Sequence, residues 1–134
     1  MSGAIVRRAT ILIPGTGGRD NPDGAHLHVV LTDTCKSGYN LLVPICSIKP
    51  GRQHDRTCLL GVGDHDFLDR PSYVAYYRML PYGISAIQRH LDAKFFKLRG
   101  SIGERVFALI CDGVQKSQES APRYQKYLAT GALD

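Results

Sequence analysis

Through the first eighty residues the apolar positions come in short, β-branched runs, and beyond residue 100 they recur at helical spacing. Residues 10–13, Thr-Ile-Leu-Ile, read as a strand stopped by Pro14-Gly15, and residues 26–32 as a second strand. Residues 41–48 are almost continuously apolar, the pattern of a third strand covered on both faces. Residues 57–60 and 72–79 give a fourth and a fifth. Between the first two strands, residues 14–24 hold four Gly, two Pro, Asn21 and two Asp, which predicts a long surface loop. Short strands parted by Gly- and Pro-marked turns predict a small barrel of about five to seven strands. Residues 84–91 fit a short helix or an irregular connection equally well.

After residue 100, Ser101-Ile102-Gly103-Glu104 has capping-box spacing, and Ile102, Val106, Leu109, Ile110 and Val114 follow at helical intervals. Ser120-Ala121-Pro122 opens a last helix running to about Ala129, with Pro tolerated in the first turn and Gly131 just past the end. No linker precedes residue 84. The fold class expected is therefore mainly β with C-terminal helices (α+β), as one domain over residues 1–134. Residues 9–82 would form the barrel core, and residues 83–130 a helical appendage of two or three helices packed on it.

Composition narrows this picture only a little. At 134 residues and 43% hydrophobic content, the chain can bury one core without a metal or a disulfide. No apolar run reaches the length of a transmembrane helix, and the first eight residues lack the apolar stretch of a secretory signal. The four cysteines never form a Cys-x-x-Cys pair, and Cys46, Cys58 and Cys111 sit among aliphatic neighbours, so a reduced, cytoplasmic protein is expected. The net charge of +5 permits a phosphate-bearing partner, the more so because eleven of the 17 basic residues are Arg.

Three constellations could carry chemistry. Gly63-Asp64-His65-Asp66, followed by Asp69 and Arg70, places a proton shuttle among carboxylates. The same residues could hold a divalent cation, although the spacing matches no dedicated metal motif, or could form a polar turn capped by Asp64. His26 and His28, at i and i+2 of a strand, share one face, where they could act as acid and base or as phosphate donors. Against this stands a solvated strand start with one core histidine. Tyr73, Tyr76, Tyr77, Arg78 and Tyr82, followed by five basic residues between Arg89 and Arg105, combine stacking rings with cations as single-stranded nucleic-acid binders do. Core packing and a solvated basic face are the plainer alternatives. Gly15-Thr16-Gly17-Gly18-Arg19 lacks the phosphate-loop pattern and precedes a strand, so no nucleotide cofactor is expected, while Arg19 could still meet a backbone phosphate.

Residues 26–32 (His-Leu-His-Val-Val-Leu-Thr), residues 42–47 (Leu-Val-Pro-Ile-Cys-Ser) and the run from Gly63-Asp64-His65 to Ser72-Tyr73-Val74 together resemble small bacterial proteins distantly related to the PemK/MazF toxins. The resemblance covers about residues 9–80, and the tail around Asp112–Ser117 and Arg123-Tyr124 is similar as well. It implies an SH3-like barrel, metal-independent endoribonuclease activity, a homodimer and an antitoxin-like protein partner, with no cofactor. In those toxins a catalytic Arg precedes the second strand, where His26 stands here; a Thr-Ser pair ends the next strand, where Cys46-Ser47 stands here. The site this implies takes His26, His65, Ser47 and Asp64 as chemical residues, with His28, Arg19, Arg70, Arg78 and Tyr73 holding RNA. The competing reading is a non-catalytic barrel module that binds a protein partner or nucleic acid.

Overall fold

A computed structural model describes residues 5–15 and 24–133. Among the described residues there are seven strands and three helices, six of the strands preceding the first helix. The strands are β1 (Ala9–Ile13), β2 (His26–Val30), β3 (Tyr39–Ser47), β4 (Leu59–Leu60), β5 (Ser72–Val74), β6 (Leu80–Gly83) and β7 (Lys97–Ser101). The helices are α1 (Ile84–Asp92), α2 (Glu104–Lys116) and α3 (Pro122–Thr130). Every pairing is antiparallel, in the order β4-β5-β3-β2-β1-β7, with β6 also on β3. The sheet is open: β4 and β7 are its two ends and do not pair.

The two central strands bury both faces. Leu27 and Val29 of β2 and Leu41, Val43 and Ile45 of β3 face one core, which is closed by Val106, Ile110 and Val114 of α2 and Tyr127 of α3. Val30 and Leu42 point the other way, into a second core with Ile11, Ile13, Phe96 and Ile87 of α1. The near-continuous apolar run of β3 thus has the cause expected of it, one helix layer on each side of the sheet.

The expected fifth strand, residues 72–79, holds only β5 and a 3-10 turn (Tyr76–Arg78), and β6 follows it at Leu80. Pro44 on β3 explains the break. Ala75 N–H donates to the Pro44 carbonyl at 2.9 Å, but Pro44 has no N–H to return, so the ladder stops there. The turn carries Tyr76 inward, where its hydroxyl donates to the Ile110 carbonyl of α2 at 2.8 Å. Residues 84–91, open between two readings, form α1. Strand β7 was not anticipated; all five of its residues are exposed, so it leaves no apolar period to read.

The expected capping box is not formed. Ser101 ends β7, Gly103 is the N-cap of α2 with no side-chain cap bond, and Glu104 is instead a first-turn carboxylate placed to meet the helix dipole. Leu109 is exposed, so the buried stripe is Ile102, Val106, Ile110 and Val114, a strict four-residue repeat. The last helix follows expectation, with Pro122 in its first turn and a left-handed Gly131 at its end. A buried carboxylate docks α2 onto the strands: Asp55 accepts from Ser117 Oγ at 2.5 Å and from the Thr57 amide at 2.9 Å. Burial alone would raise its pKa, but these hydrogen bonds hold it below the usual carboxylate range.

Candidate phosphate-binding cleft

Antiparallel register gathers the start of β2, the end of β3 and the start of β5 at one end of the sheet. Leu27 pairs with Ile45, Cys46 with Tyr73, and Ser47 with Ser72. A cleft of about 600 Å³ opens there, walled by residues 48–54 on one side and by Phe67 to Arg70 on the other. Five of the nine residues expected to act chemically or to hold RNA line it: His26, Ser47, Arg70, Tyr73 and Arg78. They come from three strands, a loop and the 3-10 turn, so only the fold brings them together.

Tyr77, one of the stacking rings named from sequence, lines it too, beside groups that sequence reasoning passed over, Lys49, Arg52, His54 and Phe67. The available signal was Pro50-Gly51-Arg52-Gln53-His54, a turn followed by basic and imidazole side chains directly after the strand that ends in Ser47. Among the described residues, Lys49, Arg52, Arg70 and Arg78 line the cleft with one carboxylate, Asp69. Asp69 is paired with Arg70 at 3.0 Å, and both side chains are solvent-exposed. Such a pair is weak, so a phosphate can take the place of the carboxylate at little cost. Two rings flank the cations: Tyr77 is 59% exposed, and Tyr73 packs against His54 with centroids 5.2 Å apart. Burial next to Cys46 pushes the Tyr73 phenol up to about 12, so it remains a neutral hydrogen-bond donor. Burial likewise raises the Cys46 thiol, although the Arg78 charge opposes it; Cys46 is a protonated neighbour and no thiolate nucleophile.

The remaining sequence candidates lie elsewhere. His65 is buried and engaged at both ring nitrogens. Nδ1 accepts from the Phe67 amide at 3.0 Å, which leaves the ring proton on Nε2 to donate to the Arg99 carbonyl at 2.9 Å. The Thr10 hydroxyl stands 3.0 Å from Nε2 and donates to the same carbonyl at 2.7 Å. The imidazole therefore ties the loop after β4 to β1 and β7, and it has no nitrogen left for a substrate. Asp64 caps its own turn, accepting from the Gly61 amide at 2.7 Å, and reaches towards Arg105 at 3.9 Å. His28 does share a face with His26, but it is buried, with Nδ1 3.0 Å from the His26 carbonyl and its ring edge-on to Tyr82. Burial lowers its pKa to about 4, so it stays neutral at physiological pH. Arg19 lies outside the described residues.

Among the described residues, no group of three or more His, Cys, Asp or Glu side chains is arranged to hold a metal ion. Among them, too, no helix is long and apolar enough to cross a membrane. No protein-family model and no curated protein sequence matches the chain.

Proposed function

We propose that this cleft binds single-stranded RNA through its phosphates and cleaves it without a metal, as a relative of the PemK/MazF toxins. The observation that carries the reading is the convergence of four cations, exposed and half-buried tyrosines, a serine hydroxyl and His26 in one open cleft. Cations and stacking rings together are what a single strand needs, because phosphates are held by charge and bases by ring faces. In the sheet we read an SH3-like barrel whose seam, between β4 and β7, is closed by His65 in place of a backbone ladder.

Cleavage in this reading is an internal transfer. His26 takes the proton of a ribose 2′-hydroxyl, the 2′-oxygen bonds to the adjacent phosphorus, and the bond from phosphorus to the 5′-oxygen breaks. The products are a 2′,3′-cyclic phosphate and a 5′-hydroxyl, whose oxygen must receive one proton. Arg78, Arg70 and the Ser47 hydroxyl stabilise the charge that gathers on the phosphoryl oxygens.

Incubation with mixed RNA in chelator, with the product ends identified, tests this directly. Cyclic phosphate ends in the wild type, and their loss in His26→Ala, are the expected result. Affinity should fall with salt at a log–log slope of about −3 for four contacted phosphates, and Arg78→Ala should flatten it by about 0.7. Salt-dependent binding with no new ends would leave a non-catalytic RNA-binding module, and salt-independent binding would remove RNA altogether.

A further inference from the structure

The chemistry above leaves one proton unassigned, the one the departing 5′-oxygen requires. His26 is occupied with the opposite transfer, and His65 has both nitrogens engaged. The cleft contains a second imidazole, His54, on the loop between β3 and β4. We infer that His54 is the proton donor to the 5′-oxygen, acting across the cleft from His26; the inference rests on the cleavage reading.

Three features of the ring fit it for that role. Its face packs on Tyr73 at 5.2 Å and 37°, which limits the rotamers open to it. Its Nδ1 stands 3.5 Å from the Arg52 carbonyl, and no hydrogen bond to Nε2 is recorded among the described residues. Its side chain is half-buried at the wall of the cleft, so a substrate oxygen can approach without the loop moving.

The two histidines have different charged neighbours. The groups around His54 are Arg52 and Arg56 on its own loop, the Asp55 carboxylate next in the chain, and the neutral Tyr73 phenol from β5. Asp55 is fixed by Ser117 and Thr57, and it interacts favourably with a positive charge on His54. His26 instead shares its side of the cleft with Arg78; both lie near enough to His28 to act on it electrostatically.

The transfer balances. The proton on His54 Nε2 passes to the 5′-oxygen as the P–O5′ bond breaks, while the 2′-hydroxyl proton passes to His26. His54 ends neutral and His26 charged, and proton exchange with water restores both.

The test compares two RNA substrates of one sequence, one natural and one with sulfur in place of the scissile 5′-oxygen. A thiolate departs without a proton, so the second substrate does not need the acid. In His54→Ala, turnover of natural RNA should fall by about 10²–10⁴-fold, whereas turnover of the sulfur substrate stays within about threefold of wild type. RNA affinity should change by no more than about twofold. His54→Gln, which keeps the bulk of the side chain against Tyr73, should behave as His54→Ala does, with an unchanged melting temperature. Equal losses on both substrates, or wild-type turnover of natural RNA by either variant, overturn the inference while leaving the cleavage reading intact. Absence of cleavage by the wild type overturns both.

Discussion

Substituting Gly113 by alanine sets two effects of opposite sign against each other. Gly113 lies inside α2, where alanine is favoured over glycine by about 1 kcal/mol through helix propensity alone. At this position the helix faces the Tyr76 phenol, whose hydroxyl donates to Ile110 one turn earlier. A methyl group built on Gly113 would overlap the Tyr76 hydroxyl and stand 2.7 Å from its Cζ, nearer than carbon atoms come in packed proteins. Tyr76 is 1% exposed and enclosed by the larger core, so its ring has no empty space to enter. Overpacking of this kind costs about 1–3 kcal/mol, and displacing the hydroxyl from its buried acceptor adds about 1–3 kcal/mol. After the propensity gain, we expect Gly113→Ala to destabilise the protein by about 3 kcal/mol, or about 10 °C in Tm. Urea unfolding followed by far-ultraviolet circular dichroism measures it. Tyr76→Phe added to Gly113→Ala should recover about 1 kcal/mol, since the ring contact persists after the hydroxyl has gone. An alanine variant as stable as the wild type, or more stable, would show that propensity governs and refute the packing argument.

Three further outcomes follow from the same geometry. His28 has a folded pKa of about 4 against about 6.5 when unfolded, so the unfolded chain binds the extra proton. Its contribution is complete above pH 6.5 and is lost as pH falls towards 4, about 3 kcal/mol in all; urea melts across that window should show a smaller loss in His28→Leu. His65→Ala should lower stability by about 1–3 kcal/mol, because it leaves the Phe67 amide without its acceptor and leaves the Arg99 carbonyl to the Thr10 hydroxyl, and an unchanged urea midpoint would exclude the tie described. Of the four thiols, Cys35 should alkylate first with iodoacetamide at pH 7: partial burial would raise its pKa, but hydrogen bonds from Ser37 and Tyr127 bring it to about 6, whereas burial holds Cys46, Cys58 and Cys111 above the usual value. Mass spectrometry of the peptides reads the order.

What could be read from the chain, and what could not, divides along physical lines. The central strands were legible because burial on both faces leaves an unbroken apolar run in β3, and α3 because proline and glycine mark its ends chemically. β7 was not legible, since its cohesion is backbone pairing to β1 and its side chains all face water. The cleft was half legible. His26 and His28 drew attention by their alternation on a strand, yet His54 sits in a loop, where no period separates a positioned ring from a solvated one. His65 misled for the opposite reason. The polar neighbours that suggested proton chemistry are turn residues, and the partners that define its role, Thr10 and Arg99, are 55 and 34 residues away.

Because one imidazole fastens the loop after β4 to β1 and β7, the stretch from His65 to Arg70 has two attachments with different duties. At one end the imidazole fastens it to β1 and β7; at the other, Phe67, Asp69 and Arg70 form a wall of the cleft, with the Arg99 guanidinium 5.7 Å above the Phe67 ring. Any local opening that frees the imidazole also releases the Phe67 amide, its donor. The exchange rate of that single amide with deuterated solvent is therefore a clock for the wall, and slower exchange on adding RNA would register occupancy of the cleft.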